Sequence, residues 1–303
     1  MKVLVTGATG FIGRCLVAEL IDRGHTIRIL SRKQQIGIET VVCNLGVDTI
    51  PVSALDSVDV VFHLAGVAHD MRGEASVEAI YRAVNVDATV RLASLSVQSS
   101  VKKFIYMSSV KAGGVALSGH CMSEEDQGEP EDIYGKTKRE AELKLLEIMH
   151  CSSMQVSIVR PALVYGPAVK GNLRMMMSGV EKGWFPPLPE VNNRRSMIHL
   201  DDLVRALLLV VEDDRANGNI YIATDGQQHS SREIYEVMCQ ILNKPISSWN
   251  FPKFLFKVAA SMNSRIRYKV DKLLGDECYT SGKLQSLGFR ARRSLREMNE
   301  SIY

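Results

Sequence analysis

The chain has 303 residues, 46% of them apolar and 23% charged, which excludes a disordered polymer and provides for a large core. Its net charge of +3 comes from 37 basic and 34 acidic side chains mixed along the sequence, so no charge block calls for nucleic acid or an anionic membrane as partner. The longest apolar run, LVRALLLVV at 203–211, is flanked by acids and too short to cross a bilayer, so no membrane insertion is expected. The start, MKVLVTG, enters a strand with no export signal, and cysteines 15, 43, 121, 151, 239 and 278 lie far apart without a C-x-x-C pair. Both features predict a cytoplasmic protein with six reduced thiols.

In chain order, β-branched runs at 2–6, 26–30, 39–43, 59–64, 102–107 and 154–159 alternate with helical patterns near 11–22, 76–99 and 133–149. That alternation predicts an α/β fold, a doubly wound parallel (Rossmann) sheet covered on both faces. Beyond residue 160 the rhythm changes to Gly- and Pro-containing loops, with helices near 173–182, 201–213 and 231–242 and one more strand at 218–225. The expected division is a dinucleotide-binding domain over 1–165 and a smaller carboxy-terminal substrate lobe over 166–303, with 197–225 returning to the large domain.

The first strand leads into VTGATGFIG, where Gly7, Gly10 and Gly13 precede and open a helix. Glycines there allow a sharp turn and let a pyrophosphate reach backbone amides at the positive helix end, so Gly7, Gly10, Phe11, Ile12 and Gly13 are candidate cofactor contacts. The end of the second strand reads ILSRKQQ and carries no acid to accept a ribose 2′-hydroxyl. Ser31 and Arg32, followed by Lys33, suit a 2′-phosphate instead, which favours NADP(H) and keeps NAD(H) possible. HLAG at the fourth strand end brings Leu64, Ala65 and Gly66 to the same edge, with His63 read as a packed, hydrogen-bonded core group.

YMSSVK ends the fifth strand with Ser108 and Ser109, and DIYGKTK opens the helix at 133–149 with Tyr134 and Lys138 four positions apart. Positions i and i+4 share a helix face, so the Lys138 ammonium is expected to lower the Tyr134 phenol from its ordinary value near 10 and to bond a nicotinamide ribose. A strand-end serine, Ser109, can hydrogen-bond a substrate carbonyl and orient it toward the phenol.

TGATGFIG, HLAG, SSVKAGG and YGKTK together resemble the extended short-chain dehydrogenase/reductase family over almost the whole chain. The resemblance implies a catalytic Ser109, Tyr134 and Lys138 and a homodimer formed by helices 76–99 and 133–149. VRPALVYGPAVKGNL and NNRRSMIHLDDL look like the family's nucleotide-sugar branch, the UDP-glucose 4-epimerase relatives. That likeness assigns Asn172 to a phosphate or uridine contact, Arg195 to the diphosphate, with Arg194 left as the alternative, and Asp276 to the uridine ribose.

Two positions depart from the epimerase pattern: Leu273 beside Lys272 replaces a second diphosphate arginine, and Lys111 stands where many relatives have threonine. Closer likeness to a branch reading S-S-I-K-V-N-G-E implies reduction of a UDP-4-keto-6-deoxy-N-acetylhexosamine at C4 for bacterial surface polysaccharide, with Lys111 either near the substrate or in a solvated loop. A UDP-hexose 4-epimerase with bound NAD+ is the alternative. A non-catalytic NADP-sensing regulator is the remote one, disfavoured because Tyr134 and Lys138 are both present.

Overall fold

The computed structural model describes residues 1–68, 74–116, 119–169, 171–247, 252–262, 267, 270–271 and 273–297. Seven parallel strands form the main sheet: β1 (Lys2–Thr6), β2 (Thr26–Ser31), β3 (Glu39–Val42), β4 (Val60–His63), β5 (Lys103–Met107), β6 (Gln155–Pro161) and β9 (Ile220–Ala223). Their spatial order is β3-β2-β1-β4-β5-β6-β9, and every neighbouring pair is parallel. The order reverses between β1 and β4, and in such sheets a ligand crevice lies outside the carboxyl ends of the strands at that switch. The glycine-rich turn after β1 and the HLAG segment after β4 meet there.

Helices cover both faces. One core joins the β1 and β4 side chains Val3, Val5 and Phe62 to Leu16 and Leu20 of α1 (Phe11–Asp22) and to Leu203, Leu207 and Val211 of α6 (Leu200–Glu212). On the other face Leu4, Val61 and Tyr106 pack against Leu92 of α3 (Ala88–Gln98) and Ala141 and Leu145 of α4 (Ile133–His150). The sheet is therefore buried on both sides, which is why its strands read as nearly continuous apolar runs rather than alternating ones. A third core, with Tyr165, Leu173, Met177, Ile234 and Met238, gathers α5 (Gly171–Glu181) and α7 (Ser231–Ile241).

The helix expected over 76–99 is α2 (Glu74–Arg82), a π-helical turn over Ala83–Asp87 and α3. Among the described elements that were not legible in the sequence are the short parallel pair β7 (Leu163–Tyr165) and β8 (Met197–His199), α8 (Lys253–Met262) and a short helix at Gly282–Ser286. Among the described residues no helix is long and apolar enough to cross a membrane.

The expectation of six reduced thiols is corrected. Cys121 and Cys278, 157 positions apart, form a disulfide, and Cys15, Cys43, Cys151 and Cys239 are free. A pairing at that separation has no local signature, because three-dimensional proximity rather than spacing creates it. The bond closes a long loop, for which chain entropy allows at most about 5 kcal/mol of stabilisation. Alkylation after non-reducing denaturation should therefore label four cysteines, and the Cys121→Ser/Cys278→Ser protein should melt several degrees below the parent; six labelled cysteines would refute the pairing.

Candidate functional site

The turn after β1 and the start of α1 are crowded so that only glycine fits at positions 7 and 13. Gly7 has φ +70°, and a Cβ there would lie 2.7 Å from the Ala65 nitrogen and 2.8 Å from the Leu64 carbonyl carbon. One at Gly13 would lie 2.2 Å from the Gly7 oxygen. These contacts press the start of α1 onto the HLAG segment. Gly10 caps α1 in extended conformation without a side-chain hydrogen bond, and no acid occupies the first turn. Uncapped amides at a positive helix end suit an anionic pyrophosphate, so the cradle fits a dinucleotide. Phe11 and Ile12 supply the first helical positions, while Ser31 is half-buried at the end of β2 and Arg32 and Lys33 are exposed beside it.

Behind the cradle runs a buried polar chain. His63 sits between the Thr6 and Thr89 hydroxyls at 2.6 and 2.8 Å, and burial pushes its pKa down to about 3, so it remains neutral and structural, as its sequence setting implies. Thr89 donates to the Asn85 carbonyl at 2.9 Å. The Asn85 side chain accepts from Val67 N–H at 2.8 Å and donates to the Val67 carbonyl at 3.0 Å and to Thr137 at 3.2 Å. Asn85 thus ties the HLAG loop to α4, and the π-helical turn that carries it widens the helix at this point, a common feature of functional sites. Sequence reasoning missed Asn85; the available signal was an amide between two valines in AVNV, at a position that the helical pattern of 76–99 turns inward.

Ser109, Tyr134 and Lys138 converge at the carboxyl end of β5. Asp132 caps α4 by accepting from Gly135 N–H at 2.8 Å, which starts the helix so that Tyr134 lies in its first turn and Lys138 one turn later. The Ser109 hydroxyl lies near enough to the Tyr134 phenol to pull its pKa down; Ser108 is buried, and its hydroxyl has no partner among the described residues.

The electrostatics differ from the sequence expectation. Burial dominates at Tyr134 and raises the phenol to about 12, while Ser109 and then the Lys111 charge pull it down. The Lys138 ammonium donates to the Met107 carbonyl at 2.8 Å, lies 4.6 Å from the Tyr106 ring centroid and borders Gly66. Burial brings Lys138 down to about 8, opposed by Glu142. Near neutral pH the pair is therefore a neutral phenol and a largely protonated amine, equipped to give a proton to an oxygen and to donate hydrogen bonds to neighbouring hydroxyls.

The substrate-lobe candidates fall into two places. Arg194, Arg195 and Asp276 come together: Arg194 N–H donates to Asp276 Oδ1 at 2.9 Å, its guanidinium reaches Asp276 Oδ2 at 3.2 Å, and Arg195 pairs with Glu277 at 2.6 Å. The side chain of Arg195 is the more buried of the two arginines. Asn172, by contrast, is an exposed residue in the first turn of α5. Leu273 packs against the third core, and Lys272 lies outside the described residues. The Cys121–Cys278 bond and the Met122–Tyr279 bridge fasten the 276–280 segment to the loop beyond Lys111. A cleft of about 500 Å³ lined by Asp48, Arg82, Arg91 and Lys144 is separate, since none of Ser109, Tyr134 and Lys138 lines it.

Comparison with known proteins accords with this geometry. The family model described as "NAD dependent epimerase/dehydratase family" matches residues 3–223. The chain is 32% identical over 304 residues to the UDP-glucose 4-epimerase of Vibrio cholerae, spanning 98% of this chain and 92% of that protein. It is 26% identical over 312 residues to the N-acetyl-alpha-D-glucosaminyl-diphospho-ditrans,octacis-undecaprenol 4-epimerase of Escherichia coli O157:H7, spanning 97% and 92%. Among solved structures, MoeE5 in complex with UDP-glucose and NAD is similar with a TM-score of 0.79 and 27% identity, covering 100% of this chain and 97% of that one. The chain belongs to the NAD dependent epimerase/dehydratase family.

Proposed function

We propose that the protein is an NAD(H)-dependent UDP-hexose 4-epimerase, in which Ser109 and Tyr134 act on the C4 oxygen of the sugar. The observation that carries this reading is the convergence of Ser109, Tyr134 and Lys138 beside the Gly7–Gly13 cradle. The full-length likeness to a UDP-glucose 4-epimerase supports the reaction, and a similar structure holding UDP-glucose and NAD supports both ligands. A nicotinamide held by this cradle would supply hydride chemistry at C4. Tyr134 would take the C4 hydroxyl proton as a phenolate, a form that the positive charges of Lys111 and of a bound nicotinamide would favour over the neutral phenol of the empty site, and return it from the phenol as hydride comes back; Ser109 would hydrogen-bond and orient the C4 oxygen, and Lys138 would offer its ammonium to ribose hydroxyls. Gly7, Gly10, Phe11, Ile12, Gly13, Leu64, Ala65 and Gly66 would hold the dinucleotide. Arg195, with Arg194 and Asp276, would form the nucleotide-diphosphate side of the substrate lobe at 166–303, and Asn172, at the separate place on α5, would make a phosphate or uridine contact.

A second reading, a 4-ketoreductase of a UDP-4-keto-6-deoxy-(N-acetyl)hexosamine using NADP(H), is favoured by one observation: Arg32 and Lys33 are exposed after β2 with no acid at its end. The two readings separate in one assay. Interconversion of UDP-glucose and UDP-galactose without added cofactor supports the epimerase, whereas stoichiometric NADPH consumption on a UDP-4-keto sugar, with no interconversion, replaces it by the reductase. The partner in either case is a UDP-sugar, and the assembly we infer is a homodimer through α2–α3 and α4.

The cradle gives a further expected outcome. In Gly13→Ala the new methyl meets the Gly7 oxygen and Ala8 Cα, both backbone atoms that cannot swing aside. Affinity for NAD+ should fall at least about tenfold, with about 1–3 kcal/mol lost in stability from overpacking. Calorimetric titration and thermal melting read the two effects separately.

A further inference from the structure

We propose that Lys111, locked to Asp132, is a positioning residue for Tyr134: it ties the turn that carries Ser109 to the first turn of α4 and places positive charge beside the phenol. This rests on the reading of Tyr134 as the proton-transfer group.

The geometry is specific. Lys111 lies on the short 3-10 turn Val110–Gly113 that follows β5, and its N–H donates to the Ser109 hydroxyl at 3.3 Å. Its ammonium bonds Asp132 Oδ2, while Asp132 Oδ1 caps α4 through Gly135 N–H. The same ammonium stands 5.9 Å from the Tyr134 ring centroid. The Lys111 carbonyl packs so closely on Gly135 that a Cβ there would come within 2.6 Å of it. One residue thus touches the serine, the helix cap and the backbone just after the tyrosine. The backbone of Lys111 makes the first and third contacts, and its side chain makes the second.

The charge arrangement explains why a lysine is useful there. The Asp132 carboxylate sits two residues before Tyr134 and disfavours a phenolate, and Lys111 opposes it. Cap and counter-cation come as a unit: the aspartate starts the helix, and the lysine prevents that same charge from holding the phenol proton too tightly. The Lys111 and Asp132 side chains are 35% and 31% exposed, so solvent screens the pair and its leverage on Tyr134 is modest.

The test uses Lys111→Met, Lys111→Arg and Asp132→Asn in the intact protein, each also combined with Tyr134→Phe. Absorbance at 295 nm, with the Tyr134→Phe counterpart subtracted, follows ionisation of this one phenol without cofactor or substrate. The phenolate signal should appear at higher pH in Lys111→Met, near the parent in Lys111→Arg, and at lower pH in Asp132→Asn, where asparagine keeps the cap and removes the charge. With cofactor and UDP-sugar saturating, kcat of Lys111→Met should drop about tenfold, and Lys111→Arg should recover most of it. If Lys111→Met melts too early to titrate, Asp132→Asn decides the matter, because its shift has the opposite sign. Unchanged phenol titration in both charge variants, with only KM for the sugar altered, would make Lys111 a substrate contact and overturn the proposal. Absence of turnover in the parent protein would instead remove the epimerase reading and leave the titration result standing.

Discussion

Replacing Tyr134 with phenylalanine is expected to lower kcat by about three orders of magnitude while leaving NAD+ affinity within about twofold. The ring keeps its place, because Tyr81 meets it edge-on at a centroid distance of 6.4 Å and α4 is capped by Asp132 independently of the hydroxyl. Only the proton-bearing oxygen, with its interaction with Ser109, disappears. Ser109→Ala should cost less, on the order of 10²-fold, since it removes one hydrogen bond to the reacting oxygen and leaves the proton donor in place. Steady-state rates, with cofactor titration by fluorescence quenching, distinguish these outcomes. If Tyr134→Phe turned over at the parent rate, proton transfer would have to run through another group. If the parent bound NAD+ and failed to turn over any UDP-sugar, the protein would be a sensor rather than an enzyme.

The main sheet was legible because burial on both faces leaves long β-branched runs, and the six amino-terminal strands start and stop within about two residues of their sequence signals. The glycine cradle was legible for a related reason: backbone crowding at Gly7 and Gly13 forbids any side chain, so the residue type itself records the geometry. What stayed hidden depends on distant contacts. β7 and β8 have three residues each, too few to show a period, and they find each other across more than thirty residues. The disulfide joins cysteines that no spacing rule connects. At the site, helical spacing put Lys138 on the Tyr134 face, yet its ammonium is engaged by the carbonyl of Met107, thirty-one residues earlier. The cation beside the phenol comes instead from Lys111, through a turn whose course the sequence does not specify.

A second large effect is expected one turn beyond Lys138. Glu142 on α4 and Arg160 on β6 are each about 1% exposed and share two hydrogen bonds, 2.9 Å to Nε and 2.5 Å to Nη2. Arg160→Met would strand a carboxylate in the core, and Glu142→Gln would strand a guanidinium whose Nη1 already lacks a hydrogen-bond partner among the described residues. Breaking such a pair from one side costs about 3–5 kcal/mol, whereas removing both charges together can be nearly neutral. Chemical denaturation should accordingly show both single variants strongly destabilised and Glu142→Leu/Arg160→Met close to the parent. Stability is only half of the expectation. Glu142 also supports the positive charge of Lys138 against the burial that brings that amine down to about 8. Without the carboxylate the amine should titrate lower still, so its charge is lost earlier as pH rises, and activity on the alkaline side should fall at lower pH. The double variant separates these consequences: a protein that regains its fold and keeps the acid-shifted activity limb shows that Glu142 serves Lys138 as well as the core, whereas a restored limb would confine the pair to structure.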